Sequence, residues 1–116
     1  MRRRTYRVEW AEAARGDLLG IVEYLVERNP EAAASTLDSL ERGAAALKRA
    51  PGRGRVIPEL RRLQLREYRE LVIPPYRLIY RVAGRRVLVL GVFDSRRNLE
   101  DALLERLIGE PFEPVR

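Results

Sequence analysis

The side chains with the greatest capacity for binding chemistry in this 116-residue chain are arginines. Residues 49 to 97 hold 13 arginines against 4 acidic residues, a balance of +9, whereas residues 1 to 48 are neutral and residues 98 to 116 carry −3. Because a guanidinium stays protonated, it binds phosphate or carboxylate well but is a poor base. The localised charge predicts an anionic partner: RNA, DNA or an acidic protein segment. A general preference for arginine, in a chain with one lysine, would give the same pattern without a binding face.

Groups that could transfer a proton are scarce, since the chain has no histidine and no cysteine. The acidic candidates in the arginine-rich segment are Glu67, Glu70 and Asp94. Burial would raise a carboxyl pKa into a useful range, but neighbouring arginines lower it. For Glu70 a cross-strand ion pair is the more common use of such a residue on a sheet. A metal would need an all-carboxylate cage, so no metal or other cofactor is predicted.

Three predicted strands between Arg66 and Arg97 position these side chains. Pro74-Pro75 and Ala83-Gly84 mark two tight turns, which makes the segment an antiparallel meander. In the middle strand, alternation separates an apolar face from a cationic face, namely Tyr76, Leu78, Tyr80 and Val82 against Arg77, Ile79 and Arg81. The last strand, Val87 to Phe93, is almost wholly apolar and is predicted to be the innermost.

Helices flank this meander in the sequence. Alternation over Thr5 to Trp10 predicts a first strand, and apolar residues at helical spacing predict a helix from Glu12 to Arg28. Pro30 opens a second helix, whose narrow apolar seam suits pairing with the first, through Ala33, Leu37, Leu40, Ala44 and Leu47. Residues 52 to 65 have no clean period and are predicted to be a loop with at most a short helical turn. Asn98 caps a last helix that runs to Ile108.

These elements predict an α+β fold: a strand, a helical hairpin, a three-stranded antiparallel meander and a short C-terminal helix. We expect one domain over residues 1–116, with its core at about 5–109 and a tail at 110–116. No apolar run approaches the ~20 residues that span a bilayer, which favours a cytoplasmic protein. Because a meander leaves one sheet face uncovered, we expect an exposed cationic binding face, made of Arg69, Arg77, Arg81, Arg96 and Arg97.

Four ordered patches carry a resemblance to a known family. They are Gly54-Arg55-Val56-Ile57-Pro58-Glu59-Leu60, Arg69-Glu70-Leu71, Tyr76-Arg77-Leu78-Ile79-Tyr80-Arg81-Val82 and Val92-Phe93-Asp94-Ser95-Arg96-Arg97. In this order and spacing, behind a helical hairpin, they resemble the RelE/ParE superfamily of toxins from bacterial and archaeal toxin–antitoxin pairs. The resemblance covers roughly residues 6 to 108 and implies the α+β fold predicted above.

The two branches of the superfamily imply different functions. RelE-like members are ribosome-dependent messenger RNA endoribonucleases, and in that branch Arg77 and Arg96 would face the phosphate. Such cleavage needs a proton donor and a proton acceptor, each of which typically raises the rate 10²- to 10⁴-fold. This chain has no histidine for either role, and Asp94 stands where many relatives have a histidine. ParE-like members block DNA gyrase by protein binding. The Gly54–Leu60 patch favours this branch, so no catalytic residue is favoured.

The resemblance also implies partners. A cognate antitoxin is expected to neutralise the toxin in a hetero-oligomer, with a role in plasmid stabilisation, and DNA gyrase is the expected target, or the ribosome with messenger RNA in the alternative. A third possibility is a degenerate, non-toxic nucleic-acid-binding member, in which Tyr68 stacks on a base. If Arg77 faces solvent, Arg77→Ala should change stability by no more than about 0.5 kcal/mol.

Overall fold

The computed structural model describes residues 5–109. Two strands and four helices surround the predicted meander. In chain order the elements are β1 (Arg7–Trp10), α1 (Glu12–Arg28), α2 (Pro30–Ala46), β2 (Arg55–Val56), α3 (Pro58–Arg61), β3 (Tyr68–Ile73), β4 (Tyr76–Ala83), β5 (Arg86–Asp94) and α4 (Leu99–Gly109). The predicted α+β fold is confirmed. The basic start Met1 to Arg4 and the predicted tail at 110–116 lie outside the described residues.

The five strands form one sheet in the order β1-β5-β4-β3-β2. Strands β3, β4 and β5 make the predicted antiparallel meander, and β1 joins its far side parallel to β5. The prediction that the last strand is innermost is wrong, because β4 occupies the centre. β5 is nevertheless covered on both sheet faces, with Val87, Val89 and Val92 in the core under the hairpin and Phe93 in a second core on the opposite face, and this explains its apolar sequence.

The helical hairpin covers one face of the sheet. Asn29 separates the two helices, and its side chain accepts a hydrogen bond from the backbone N–H of Ala32, which caps α2. The predicted seam of α2 is buried at Ala33, Leu40 and Ala44. Leu40 and Ala44, with Ala14 of α1, pack toward the apolar face of β4, where Tyr76, Leu78 and Tyr80 are buried as predicted.

The opposite face of the sheet is covered at its centre, contrary to the expectation of an open cationic surface. Ile79 of β4 is fully buried there, in a second core that α3 and α4 complete. The other buried members of this core are Ile57, Leu60, Phe93, Leu99, Ala102 and Leu103. The predicted loop at 52–65 therefore contains β2 and α3 and forms part of the packing, which sequence periodicity could not show in elements of two and four residues.

The last helix is tied to the rest of the domain at both ends. Asn98 caps it as predicted, with its Oδ1 accepting from the backbone N–H of Asp101. Farther along, the Arg106 guanidinium donates to both carboxylate oxygens of Asp17 on α1, at 2.9 and 3.0 Å, and to the carbonyl of Leu90 on β5. One arginine thus joins α4, α1 and the sheet. Within residues 5–109 no helix is long and apolar enough to cross a membrane.

Candidate functional site

A buried network of two arginines and two glutamates lies on the α3 side of the sheet. The Arg77 side chain is only 10% exposed. Its Nε donates to Oε1 of Glu70 at 2.5 Å, and its two Nη atoms donate to the two carboxylate oxygens of Glu59 at 2.8 Å each. The second oxygen of Glu70 accepts from Nε of Arg55 at 2.6 Å. We call these four residues the carboxylate clamp.

Local structure places each member of the clamp. Glu70 of β3 is opposite Ile79 of β4, so it shares the face to which Arg77 also points. β2 pairs with β3 so that Arg55 is directly opposite Glu70. Pro58 begins α3 with its fixed φ and leaves Glu59 in the first turn, above Arg77. The prediction that Glu70 makes a cross-strand ion pair is confirmed.

Gly54 and Tyr80 fix the approach to the clamp. The Tyr80 hydroxyl accepts from the backbone N–H of Gly54 at 2.9 Å and donates to the carbonyl of Pro51 at 2.7 Å. A Cβ on residue 54 would lie 2.5 Å from the Glu70 carbonyl oxygen, so only glycine lets this loop approach β3 so closely. These contacts set the position of Arg55 relative to Glu70.

The clamp pairs two guanidinium groups with two carboxylates, and the pairing of Arg77 with Glu59 keeps these two groups ionised. The hydrogen bond from Arg77 lowers the pKa of Glu59 below its usual value of 4.5, and the bond to Glu59 raises the pKa of Arg77 further above its ordinary range. Because both carboxylates are occupied by guanidinium donors, neither is available as a base. Arg77 is likewise unavailable to stabilise a substrate phosphate.

Acid should remove the contribution of Glu59 to stability. Its pKa is lower in the folded state, so its contribution is present above pH 4.5 and is lost as the pH falls through the folded-state pKa. We expect the melting-temperature gap between wild type and Glu59→Gln to be widest above about pH 5 and to close toward pH 3. Thermal unfolding across this range measures the gap. Glu67→Gln, at an exposed position outside the clamp, is the control for the removal of one carboxylate. A gap of constant size for Glu59→Gln would contradict the pairing.

The five arginines predicted as a target-binding face do not share one surface. Arg77 is buried in the clamp, so its predicted exposure is wrong. Arg69 is opposite Tyr80 and shares the hairpin face, where its Nη1 donates to the Gly54 carbonyl. Arg81 is opposite Tyr68, on the other face of the sheet. Of the five, only Arg96 and Arg97 are both neighbours and exposed, in the turn after β5.

Asp94 holds this turn in place. Its carboxylate accepts the backbone N–H of Arg96 and two bonds from the Arg96 guanidinium, at 2.8 and 3.0 Å. The side-chain hydrogen bond from Arg96 lowers the pKa of Asp94 to about 2. Asp94 is therefore a poor base at neutral pH, as its arginine-rich surroundings predicted. The Arg97 guanidinium lies 5.6 Å from the centre of the Phe93 ring.

A groove of about 620 Å³ runs between α1 and this turn, and it is large enough for several side chains of a partner. Its apolar walls include Ile21, Tyr24 and Leu25 of α1, together with Pro75, Tyr76 and Val92; Arg96 and Arg97 stand at one end, and Asp17, Gly20 and Asp94 complete the lining. We call it the α1 groove. The Tyr24 ring is 57% exposed, and Arg28 lies over it at 3.7 Å. Leu19 and Val26 of α1 are also about half exposed or more, but they do not line the groove.

Sequence reasoning missed the clamp as a unit and the α1 groove. One signal was present for the clamp: residues 49 to 97 contain only four acidic residues, and three of them, Glu59, Glu70 and Asp94, are ion-paired with arginine. Scarce carboxylates among many arginines point to dedicated pairing. For the groove no such signal exists, since Tyr24 lies off the apolar stripe by which α1 was recognised and the other wall comes from the meander.

A comparison with known protein families places the chain among the small toxins of toxin–antitoxin pairs. It belongs to the family of ParE toxins of type II toxin–antitoxin systems, parDE, whose model matches residues 8–99. The resemblance to the RelE/ParE superfamily is thereby confirmed. No curated protein sequence matches the chain.

Two solved structures share its fold. A chain of the chromosomal ParDE toxin–antitoxin system from P. aeruginosa aligns with a TM-score of 0.65 at 20% identity, over 78% of this chain and 97% of that one. A chain of the toxin–antitoxin complex RelBE2 from Mycobacterium tuberculosis aligns with a TM-score of 0.52 at 25% identity, over 78% of this chain and 91% of that one. At these identities the likeness concerns the fold.

Proposed function

We propose that this ParE-family toxin inhibits DNA gyrase by protein binding and is neutralised by a cognate antitoxin. The observation that carries the proposal is the occupation of Arg77. A RelE-like nuclease would need this arginine to face the substrate phosphate. Here the guanidinium of Arg77 donates hydrogen bonds to Glu59 and Glu70 from both of its edges. Opening the clamp would leave a buried carboxylate unpaired, which is costly.

The remaining nuclease groups give no substitute. Arg96 is exposed, but the carboxylate beside it, Asp94, is already paired with it and has a pKa of about 2. Proton transfer to and from a ribose hydroxyl needs a group that titrates nearer neutrality. A binding inhibitor needs no such group. It needs an exposed, partly apolar contact surface, and the α1 groove supplies one.

The target-binding residues we propose are Arg96 and Arg97, with Arg69 and Arg81 as outlying members. Arg96 and Arg97 are exposed beside an apolar groove, the arrangement in which cations orient an acidic partner while apolar contacts hold it. Arg69 and Arg81 are partly buried and lie on opposite sheet faces, so we expect smaller effects from them. Arg77 acts on binding only through the fold.

A cognate antitoxin follows from the structural neighbours. The RelBE2 structure is a toxin–antitoxin complex, and the other belongs to a ParDE toxin–antitoxin system. For this chain we propose that an antitoxin segment with apolar anchors and acidic residues lies in the α1 groove. A segment that orders on binding would cover both the apolar walls and Arg96-Arg97 at once.

The decisive experiment separates binding from cleavage. We expect the purified protein to inhibit gyrase supercoiling of relaxed plasmid, to leave messenger RNA on translating ribosomes intact, and to lose its effect when the product of the adjacent gene is added as antitoxin. Cleavage of messenger RNA without inhibition of gyrase would overturn the proposal in favour of a RelE-like ribonuclease. Neither activity, in a folded protein, would indicate a degenerate, non-toxic member.

A further inference from the structure

A second cationic surface lies far from Arg96-Arg97, where the starts of β1 and β5 meet the end of α2. It is a groove of about 830 Å³ lined by Arg7, Lys48, Arg85 and Arg86, with Thr5, Tyr6, Val8 and Ala45 between them. We call it the Lys48 groove. Its cations come from three distant parts of the sequence, so no run of charges in the sequence predicts this groove.

Backbone hydrogen bonds hold these cations close together. The N–H of Arg7 donates to the carbonyl of Arg85 at 2.8 Å, and the N–H of Tyr6 donates to the carbonyl of Lys48 at 2.8 Å. In the parallel register of β1 and β5, Arg7 is directly opposite Arg86. The cluster is therefore built by the sheet and the end of α2, and it does not depend on chance side-chain placement.

Acidic residues neutralise only part of this cluster. Glu9 pairs with Arg86 at 3.1 Å, whereas within residues 5–109 no carboxylate lies within ion-pair distance of Arg7, Lys48 or Arg85. Lys48 follows the C-terminal end of α2, where the helix carbonyl groups stabilise a positive charge. Arg7 of β1 is opposite Arg86 of β5, with Arg85 next to it in the turn, and like charges at opposite strand positions repel. An external anion would relieve that repulsion.

We propose that the Lys48 groove binds the phosphodiester backbone of a nucleic-acid duplex. Three exposed cations in one open groove match the repeated, regularly spaced charges of a phosphate backbone. Single strands are usually held by aromatic side chains on which bases stack. The one aromatic residue of the groove, Tyr6, packs against the hairpin core, so the groove offers charge without a stacking platform. This favours a duplex, read without sequence preference.

The proposal is independent of gyrase inhibition, since Arg96 and Arg97 line a different groove. We expect the full-length protein to bind labelled 20-base-pair DNA or RNA duplexes in fluorescence anisotropy, and the two arms identify which duplex is preferred. With about three phosphate contacts, log Kd should rise with log salt with a slope near 3, at about 0.9 per phosphate.

Two variants of equal charge test the location. Replacing Arg7, Lys48 and Arg85 together by glutamine should weaken duplex binding roughly tenfold or more and flatten the salt slope. The second variant replaces three exposed arginines elsewhere by glutamine, namely Arg15, Arg61 and Arg66. It removes the same charge and should retain most of the duplex binding. Melting temperatures show whether both variants fold. The proposal would be overturned if both variants lost binding equally, or if the wild type did not bind a duplex. It would also be overturned if a single strand bound more tightly than either duplex, or if polyglutamate competed equally well.

Discussion

Replacing Arg77 by methionine should lower the free energy of unfolding by about 3 to 5 kcal/mol, the usual loss when one partner of a buried ion pair is removed. Methionine fills much of the volume of the side chain but leaves Glu70 with no partner except Arg55. Glu70 is fully buried, whereas the Arg55 side chain is 58% exposed and holds only one carboxylate oxygen. Urea unfolding of the two proteins at neutral pH measures the difference.

A control and a rescue make this result specific. Arg96→Ala removes an arginine that is 85% exposed and should change stability by no more than about 0.5 kcal/mol. Arg77→Met combined with Glu70→Leu removes both buried charges and should recover most of the loss, because well-packed apolar residues often replace buried ion pairs without cost. If Arg77→Met were as mild as Arg96→Ala, the clamp would contribute nothing and Arg77 would be available for a ligand.

Arg77 also shows how far the sequence could lead. Alternation along β4 correctly assigned it to the face opposite Tyr76, Leu78 and Tyr80. Whether that face is exposed depends on α3 and α4, whose docking involves contacts far apart in sequence. An arginine next to Ile79 was therefore predicted to be exposed, which is wrong, and the condition on which a mild Arg77→Ala variant was predicted does not hold. Local periodicity determines a residue's direction, and tertiary packing determines its burial.

The helices and the meander were predictable because their signals are local. Asn29-Pro30 and Asn98 mark helix boundaries by capping chemistry that acts within one turn. The parallel pairing of β1 with β5 joins residues almost 80 positions apart, and no local pattern selects it. The same limit hid the Lys48 groove, whose cations come together only when that pairing forms.

The candidate site was predicted only in composition. The sequence showed that half of the chain is rich in arginine. Successive side chains along a strand point to opposite faces of the sheet, however, and Arg69 and Arg81 therefore lie on different faces. Arg96 and Arg97 remain together because they share one turn, fixed by Asp94. The apolar walls beside them come from α1, which the sequence assigned to the hairpin alone.

Replacing Tyr24 by alanine should weaken binding of the antitoxin roughly 30- to 1,000-fold, the effect of about 2 to 4 kcal/mol expected for a central aromatic contact. Tyr24 is suited to this role because its ring is mostly exposed, lies on the wall of the α1 groove and is held by stacking with Arg28. Since the ring contributes little to the core, stability should change by no more than about 0.5 kcal/mol. Titration calorimetry with the product of the adjacent gene measures the affinity.

The neighbouring arginines should affect a different quantity. Arg96→Gln with Arg97→Gln should slow association and reduce its dependence on salt, while the apolar contacts of Tyr24 keep dissociation slow in that variant. Leu63→Ala is the matched control, because Leu63 is a similarly exposed apolar residue that follows α3, far from the α1 groove. Stopped-flow association across a salt series separates the two contributions. The antitoxin would lie on another surface if Tyr24→Ala and Leu63→Ala lost equal affinity, or if the association rate of the wild type did not vary with salt.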